Sequence, residues 1–457
     1  MGQMISLVKS CLCKNKLPAF TVKSEPEEIE KIPHEALHHE VELPLLLRQL
    51  RFAANKSKFW RDWFSRAKIL PEDIRSMDAY QELPLSDKQD LLADQKAAPP
   101  FGTILAVKKK QLARIHRTSG STDTPLLVLL TKKDIKNTVI AGGRAFKCAG
   151  VTPEDVVIHC LNYSMWSGGV TDHQCLEKAG AAVIPFGVGN SRYLIETIKR
   201  IRPTAISCTP SYLARLEELL RDDFNEKPDS LGLKKALLGG EGGLQDPVYR
   251  ASIENKWGLE AVDANYGLSD VLSIIGAECH ARRGLHFHGQ GIVMPELIDS
   301  QSNPIPIKAG AEGELVLTCL LREGQPIFRY RTHDALRIID TETCQCGRSG
   351  FLFMVVGRTD DMIDVKGINF FPNALQGTLR RFSDVLSGEY RVVVPPAPFR
   401  ALGLRVELSG IGGAPEGLRD RIVSVIRSEH SVLVELEFLP RGALEKSENK
   451  TSRLIRL

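Results

Sequence analysis

The sequence lacks several features that would mark a specialised class of protein. It has no run of about 18 apolar residues, so we expect no membrane-spanning helix. Its ten cysteines are too sparse for a disulfide framework in a chain of 457 residues, and its start shows no secretory signal pattern. We therefore expect reduced thiols and a cytoplasmic location.

The chain also lacks a large net charge, since basic residues exceed acidic ones by only four. So small an excess gives no indication of a nucleic-acid partner. Apolar residues make up 43% of the chain and charged residues 25%, which is typical of globular proteins. A chain of this length is expected to form about two to four domains with a sizeable core.

The beginning of the chain is polar and contains several prolines. Its first residues, Met1 to Ser6, fit a loose myristoylation pattern, with Cys11 and Cys13 nearby as palmitoyl acceptors. The alternative, which we favour, is a mobile tail without lipid over residues 1–40. From Leu43 onward, apolar residues at helical spacing predict a helix that faces the core.

Strand-like and helix-like segments alternate through the middle of the chain. Buried strands are predicted at Val156–Ile158, Ala182–Ile184 and Ala205–Ile206, with helical stripes between them. This alternation predicts an α/β fold in which helices flank a layered sheet, and we assign it to residues 41–357.

The last part of the chain has a different pattern. It begins with a predicted strand at Met362 to Val365, and the order β-α-β-β-α-β predicts a small ferredoxin-like α+β domain over residues 362–457. Residues 358–361 form the boundary between the two domains.

The segment from His116 to Pro125 places small hydroxyl residues around Gly120, directly before the apolar strand Leu126 to Leu130. Backbone N–H groups and hydroxyls in such a loop can surround phosphate oxygens. A polar hairpin turn has a similar composition, so the loop alone leaves both interpretations open.

Further motifs follow this loop in a fixed order. They are Tyr266-Gly267-Leu268-Ser269-Asp270, Tyr330-Arg331-Thr332-His333-Asp334, Gly357 to Ile363, Lys366-Gly367-Ile368-Asn369 and Ser447-Glu448-Asn449-Lys450. In order and spacing they resemble the adenylate-forming superfamily and, within it, the phenylacetate–CoA ligase family. The resemblance implies a large adenylate-forming N-terminal domain with layered sheets and a small mobile C-terminal lid domain.

The resemblance also implies a reaction in two steps. A carboxylic acid and ATP would give an acyl-adenylate and pyrophosphate, and coenzyme A would then attack to give a thioester. The acid is expected to be aryl or small and hydrophobic. Two alternatives stay open: transfer to a carrier-protein thiol or an amine, and a nucleotide-binding protein with weakened catalysis. We expect no stable membrane insertion, and a homodimer stays open.

The resemblance also implies site residues, at the positions of this sequence that match the motifs of the family. Lys450 matches the catalytic lysine, whose cation would offset the repulsion between the carboxylate and the α-phosphate; a solvated tail lysine is the alternative. Asp270 stands where the family usually has glutamate and would hold Mg²⁺. Asp334 would accept hydrogen bonds from the ribose hydroxyls, and Asp360 matches the hinge. The other residues implied to bind ATP or AMP are Thr118, Ser119, Gly120, Ser121, Thr122, Gly240, Glu241, Tyr266, Gly267 and Arg358.

Tyr163, Trp166 and Gly168 lie in the segment that lines the acyl pocket in the family. Trp166 stands where a smaller aromatic residue is common, so its indole would reshape the pocket. Packing in the core is the alternative for this side chain.

Four residues form a second constellation. Three thiolates and one imidazole, from Cys279, His286, Cys344 and Cys346, would complete a tetrahedral structural zinc site, and some members of the family carry matching residues. Unmetallated residues near the surface are the alternative. The choice of His286 over His280 and His288 follows from the resemblance.

The sequence departs from the family pattern at the phosphate loop and near its end. Asp123 and Thr124 replace the usual Gly-Lys or Gly-x pair, and Asn449 replaces a glycine. A carboxylate beside a triphosphate is repulsive by about 1 kcal/mol or more unless it points away. These changes predict slow or specialised use of ATP.

Overall fold

The structure is a computed structural model that describes residues 26–118, 125–365, 368–396, 400–410, 412–444 and 453–456. Among the helices in these ranges, none is long and apolar enough to cross a lipid bilayer.

The N-terminal part is a helical layer that packs on the main sheet. It contains a 3₁₀ helix (Glu28–Lys31), a π-helical turn (His38–Glu42) and the α-helices α1 (His34–Leu37), α2 (Leu43–Lys56), α3 (Lys58–Ala67), α4 (Met77–Gln81) and α5 (Lys88–Ala97). This differs from the expected tail over residues 1–40, because Ile29 and Ile32 are fully buried in the same core as the sheet residues Ile275 and Phe353. Their burial depends on tertiary contacts, which cannot be predicted from the sequence of a short polar segment.

A two-stranded hairpin follows the helical layer after the 3₁₀ helix Lys109–Gln111. It consists of β1 (Leu112–Arg117) and β2 (Leu127–Thr131), which pair antiparallel around the hydroxyl-rich loop. Helix α6 (Lys132–Cys148) begins directly after β2, where Thr131 and Asp134 form a reciprocal capping box.

The predicted β-α alternation is confirmed in the middle of the chain. The elements are β3 (Val156–His159), α7 (Ser167–Ala179), β4 (Ala182–Pro185), α8 (Ser191–Ile201), β5 (Ala205–Cys208), α9 (Pro210–Leu219), β6 (Lys235–Gly239), α10 (Pro247–Trp257) and β7 (Glu260–Leu268), with a π-turn at Leu220–Phe224 and a 3₁₀ helix at Pro228–Leu231. These strands pair parallel in the order β4-β3-β5-β6-β7. The order reverses at β3, because the chain adds β4 on one side of β3 and β5 on the other.

The sheet continues beyond β7 with antiparallel strands. They are β8 (Leu272–Glu278), β9 (Leu285–Phe287), β10 (Val293–Ile298), β11 (Pro304–Ile305), β12 (Glu312–Cys319), β13 (Tyr330–Asp340) and β14 (Leu352–Arg358). Within the described residues, the sheet has twelve strands in the order β11-β10-β12-β13-β14-β9-β8-β7-β6-β5-β3-β4. Strand β7 joins its parallel and antiparallel halves.

A smaller sheet domain follows at the C-terminus. Its elements are β15 (Ile363–Val365), β16 (Ile368–Phe370), a 3₁₀ helix (Pro372–Ala374), α11 (Leu375–Arg380), β17 (Leu386–Val394), β18 (Leu402–Leu408), α12 (Leu418–His430), β19 (Val434–Leu439) and β20 (Leu454–Arg456). The sheet order is β19-β18-β17-β20.

The arrangement of this domain differs from the expected ferredoxin-like order in one respect. Strand β15, expected as the first strand of the sheet, forms a separate hairpin with β16, and the fourth strand of the sheet is β20. A strand of three residues is too short to produce a recognisable alternation, so the sequence did not indicate β20.

Candidate active site

Several predicted site residues lie at one edge of the main sheet. The segment with Trp166 follows the carboxyl end of β3, Gly240 and Glu241 follow β6, and Asp270 lies just beyond the end of β7. Ligands of open α/β sheets bind in the crevice outside the carboxyl ends of the strands, where the strand order reverses. The order reverses at β3, so the topology alone makes this edge the candidate site.

A hydrogen-bonded chain runs through four of the predicted residues. The Tyr266 hydroxyl donates to Oδ2 of Asp334 at 2.9 Å, and the Arg358 guanidinium lies 3.3 Å from the other carboxylate oxygen of Asp334. Arg358 also donates to both oxygens of Asp360, at 2.9 and 2.6 Å. Burial and the charge of Asp334 raise the pKa of Tyr266, so its phenol stays protonated and donates. The chain connects the proposed nucleotide residues with the proposed hinge.

Gly267 lies where β7 and β8 come together. A Cβ atom at this position would lie 2.0 Å from the carbonyl oxygen of Ser273, so only glycine fits. The close approach of the two strands leads into the short turn that presents Asp270.

Asp270 is held from two directions. The buried Tyr330 hydroxyl donates to its Oδ2 at 2.5 Å. Nη1 of Arg322, also buried, donates to the backbone carbonyls of Asp270 and Val271 at 2.8 and 2.6 Å. Side chain and backbone are therefore both fixed, and this carboxylate could serve as a metal ligand in a defined position.

The loop after β6 is positioned by the backbone conformation of Gly240 and by hydrogen bonds to the carboxylate of Glu241. Gly240 has φ of +75°, a conformation that favours glycine. The Glu241 carboxylate accepts hydrogen bonds from the hydroxyl and the backbone N–H of Ser211, at 2.5 and 3.1 Å.

The hydroxyl-rich loop is described only at its start. Thr118 is buried; its backbone N–H donates to the carbonyl of Leu126, and its hydroxyl accepts from the backbone N–H of Leu126. Ser119, Gly120, Ser121 and Thr122 lie outside the described residues, as does Lys450.

The segment proposed to line the acyl pocket is fixed by two histidines, the buried His159 and the half-buried His173. His159 Nε2 donates to the carbonyl of Gly168 at 2.9 Å, and the Tyr163 hydroxyl lies 3.0 Å from Nδ1 of His173. Trp166 is half-buried, and its indole N–H has no hydrogen-bond partner among the described residues. An indole donor kept from water without a partner is unfavourable, so a bound group with an acceptor would suit this position.

The four predicted zinc ligands converge on one point. Their ligand atoms all lie within 4.8 Å of one another, and the Sγ atoms of Cys279 and Cys344 are 3.8 Å apart. With Zn–S bonds of about 2.3 Å, the sulfur atoms of a tetrahedral site are about 3.8 Å apart, so the cluster fits zinc. Nε2 of His286 lies 3.4 Å from the sulfur atoms of both Cys279 and Cys346.

His288, one of the two alternative zinc ligands, forms a hydrogen bond outside the cluster. Nδ1 of the fully buried His288 lies 3.0 Å from Glu30, whose carboxylate also pairs with Arg348 at 2.9 Å. Arg348 in turn donates to Sγ of Cys346 at 3.7 Å. The alternative interpretation placed these residues near the surface, and this placement does not hold for Cys279, His286 and Cys344, which are buried.

Comparison with known proteins identifies the family of the chain. The family described as AMP-binding enzyme matches residues 61–318. The phenylacetate-coenzyme A ligase of Escherichia coli (strain K12) is 30% identical over 89% of this chain and 92% of that enzyme. The chain belongs to the phenylacetate–CoA ligase family. The phenylacetate-coenzyme A ligase of Thermus thermophilus is 29% identical, over 94% of this chain and 98% of that enzyme.

This member of the phenylacetate–CoA ligase family also resembles solved structures of 2-hydroxyisobutyryl-CoA ligase. The complex with R3-HIB-AMP in the postadenylation state has a TM-score of 0.82 at 25% identity, covering 94% of this chain and 91% of that one. The complex with 2-HIB-AMP and CoA in the thioesterification state has a TM-score of 0.66 at 25% identity, covering 95% and 91%. The present arrangement is therefore closer to the postadenylation state.

The sequence analysis did not predict the contacts of several side chains at the candidate site of this phenylacetate–CoA ligase family member. Tyr330 was part of a quoted motif but had no assigned role, and Arg322 lay outside every motif. Asp172 is a fully buried carboxylate that accepts hydrogen bonds from Asn265 and Ser273, at 2.7 and 2.5 Å. Its contacts join residues about one hundred positions apart, and no local pattern indicates such pairs.

Proposed function

We propose that this chain is an ATP-dependent, AMP-forming acid–CoA ligase for an aryl or small hydrophobic acid. The acid attacks the α-phosphorus of ATP, which gives an acyl-adenylate and releases pyrophosphate. The thiol of coenzyme A then attacks the acyl carbon and releases AMP. Family membership supports both steps; it gives no support to a carrier-protein thiol, an amine or a binding protein without turnover.

The observation that carries the site assignment is the hydrogen-bonded chain from Tyr266 through Asp334 and Arg358 to Asp360. We assign the Asp334 carboxylate to the ribose hydroxyls, because an ionised carboxylate only accepts hydrogen bonds. Tyr266 would pack against the adenine ring and Gly240 would border it. Asp360 would absorb the backbone change as the C-terminal domain moves.

The chemical difficulty of the first step is electrostatic, because two anions must come together. We assign the cation that offsets this repulsion to Lys450. Asp270 is suited to hold Mg²⁺, and a bound Mg²⁺ would neutralise charge on the phosphate oxygens. Thr118 would position the start of the phosphate loop, which continues through Ser119, Gly120, Ser121 and Thr122.

For the acid, Tyr163, Trp166 and Gly168 are the proposed lining residues. The two phenylacetate-coenzyme A ligases named above act on phenylacetate, whereas the larger indole of Trp166 favours a smaller acid here. The unpartnered indole N–H would suit an acid that carries a hydrogen-bond acceptor.

We propose that Cys279, His286, Cys344 and Cys346 hold a structural zinc ion. Four protein ligands leave no open position for a substrate, so the ion would stabilise the fold rather than take part in the reaction. A cytoplasmic location and a homodimer remain predictions from the sequence.

The test is acid-dependent exchange of pyrophosphate into ATP over a panel of aryl and short aliphatic acids. We expect exchange with at least one acid, and a thioester detected by mass spectrometry when coenzyme A is added. Exchange without a thioester would favour another acceptor. ATP binding without exchange for any acid would favour a protein that has lost turnover.

A further inference from the structure

Arg380, at the end of α11, is buried against the large domain. Its guanidinium carbon lies 4.9 Å from the centroid of the Tyr249 ring, and it also donates to the Tyr249 hydroxyl. Nη2 lies 3.2 Å from Oε2 of Glu241. Arg380 is only 7% exposed, and a guanidinium removed from water is costly unless it is paired. These compensating contacts all come from the other domain.

Arg381, the next residue, adds to the contact between α11 and the large domain, which we call the junction. Nε of Arg381 donates to Asp246 at 2.8 Å, while its Nη1 donates to Glu429 of its own domain at 2.6 Å. Asp246 also caps α10, accepting from the backbone N–H of Tyr249 at 3.0 Å. A Cβ atom at Gly377 would lie 3.0 Å from Cβ of Asp246, so α11 approaches the start of α10 very closely.

Glu241 connects this junction to the proposed nucleotide site. The same carboxylate that meets Arg380 accepts two hydrogen bonds from Ser211 and belongs to the loop assigned to the adenine. Arg380 therefore reaches that loop only while the C-terminal domain occupies its present place, which is nearer to the postadenylation state of the related ligase than to its thioesterification state.

We propose that Arg380 is a positioning residue for adenylation, which acts through Glu241. It holds the nucleotide loop in the present arrangement of the C-terminal domain, which is close to the postadenylation state, and releases the loop when that domain turns for thioester formation. This inference rests on the proposed function and adds a residue to it that no motif contains. It predicts that loss of Arg380 affects the two half-reactions unequally.

The test compares three variants in each half-reaction. Arg380→Met keeps a long apolar side chain without charge, and Arg380→Lys keeps the cation without the planar fork. Arg441→Met is the matched control, because Arg441 pairs with Glu218 across the same two domains at 3.0 Å but is 42% exposed. Pyrophosphate exchange measures adenylation, and thioester formation from supplied acyl-adenylate and coenzyme A measures the second step.

For Arg380→Met we expect at least about a tenfold loss in kcat/KM for ATP in exchange, with thioester formation from supplied adenylate within about twofold of the parent. Arg380→Lys should recover part of the loss, and Arg441→Met should behave as the parent. An equal decline of both half-reactions, or none, would overturn the proposal.

A second measurement does not depend on activity. Small-angle X-ray scattering of the full chain should show a shift away from the present domain arrangement in Arg380→Met and none in Arg441→Met. A parent protein inactive on every acid would refute the proposed function. An unchanged scattering profile of Arg380→Met would refute the role of Arg380 in holding the pose.

Discussion

Replacing Tyr330 by phenylalanine should weaken the use of Mg²⁺ in adenylation. The change removes the hydroxyl that donates to Asp270 at 2.5 Å, while the buried ring is kept. A hydrogen bond to an ionised group contributes about 1.5–3 kcal/mol, which corresponds to about 10- to 150-fold in an equilibrium constant. Because Asp270 is the proposed ligand of Mg²⁺, this loss should affect how well the carboxylate is placed for the metal.

The assay is pyrophosphate exchange as a function of Mg²⁺ concentration at saturating ATP and acid. We expect the Mg²⁺ concentration for half-maximal rate to rise by about tenfold or more in Tyr330→Phe. Tyr80→Phe is the matched control, since the fully buried Tyr80 hydroxyl lies 2.6 Å from the neutral hydroxyl of Thr318. It should lower the melting temperature without changing the Mg²⁺ dependence.

Two results would refute the reasoning. If Tyr330→Phe lowers the melting temperature as Tyr80→Phe does and leaves the Mg²⁺ dependence unchanged, Tyr330 contributes only to the fold. If Asp270→Asn also keeps the Mg²⁺ dependence of the parent, the metal is held elsewhere.

Three further predictions concern the metal cluster, the lysine and pH. Cys344→Ser should lose nearly one equivalent of zinc per chain in metal analysis and melt at a lower temperature; a metal-free parent protein would contradict the site. Lys450→Ala should strongly depress acyl-adenylate formation while calorimetry still detects ATP binding, and normal adenylation would remove the lysine from the mechanism. Burial lowers the pKa of His116 and of His159 to about 4, so the unfolded chain binds more protons between pH 6.5 and 4. Stability present above pH 6.5 should fall by about 3 kcal/mol for each as pH drops to 4, and equal denaturant midpoints at pH 7 and 4.5 would exclude this linkage.

The sequence predicted the elements that depend on local pattern. Strands β3, β4 and β5 were found because short apolar runs alternate with helical stripes, and this alternation indicated a sheet flanked by helices. Tyr266 and Asp334 were singled out by motif, and the structure places them 2.9 Å apart. That contact joins β7 to β13, and only the resemblance to a family made it foreseeable.

Other features depend on tertiary contacts that no local pattern carries. Residues 26–40 appeared to be a tail because they are polar, yet Glu30 is buried where it meets Arg348 and His288. Arg380 lies in a domain whose order of strands and helices was predicted, but its burial depends on the placement of a second domain. Long-range ion pairs of this kind have no period in the sequence.

The aspartate at position 270 is one methylene shorter than the glutamate usual in the family, which shortens its reach by about 1.3 Å. A shorter side chain also has fewer rotatable bonds, so less conformational entropy is lost when it is fixed. Tyr330 holds its carboxylate and Arg322 holds its backbone carbonyl. The contacts with Tyr330 and Arg322 therefore hold the shorter side chain of Asp270 in a defined position. If ATP use proves slow, we therefore expect its cause in the residue changes at Asp123 and Thr124 and not in the placement of Asp270, the proposed ligand of Mg²⁺.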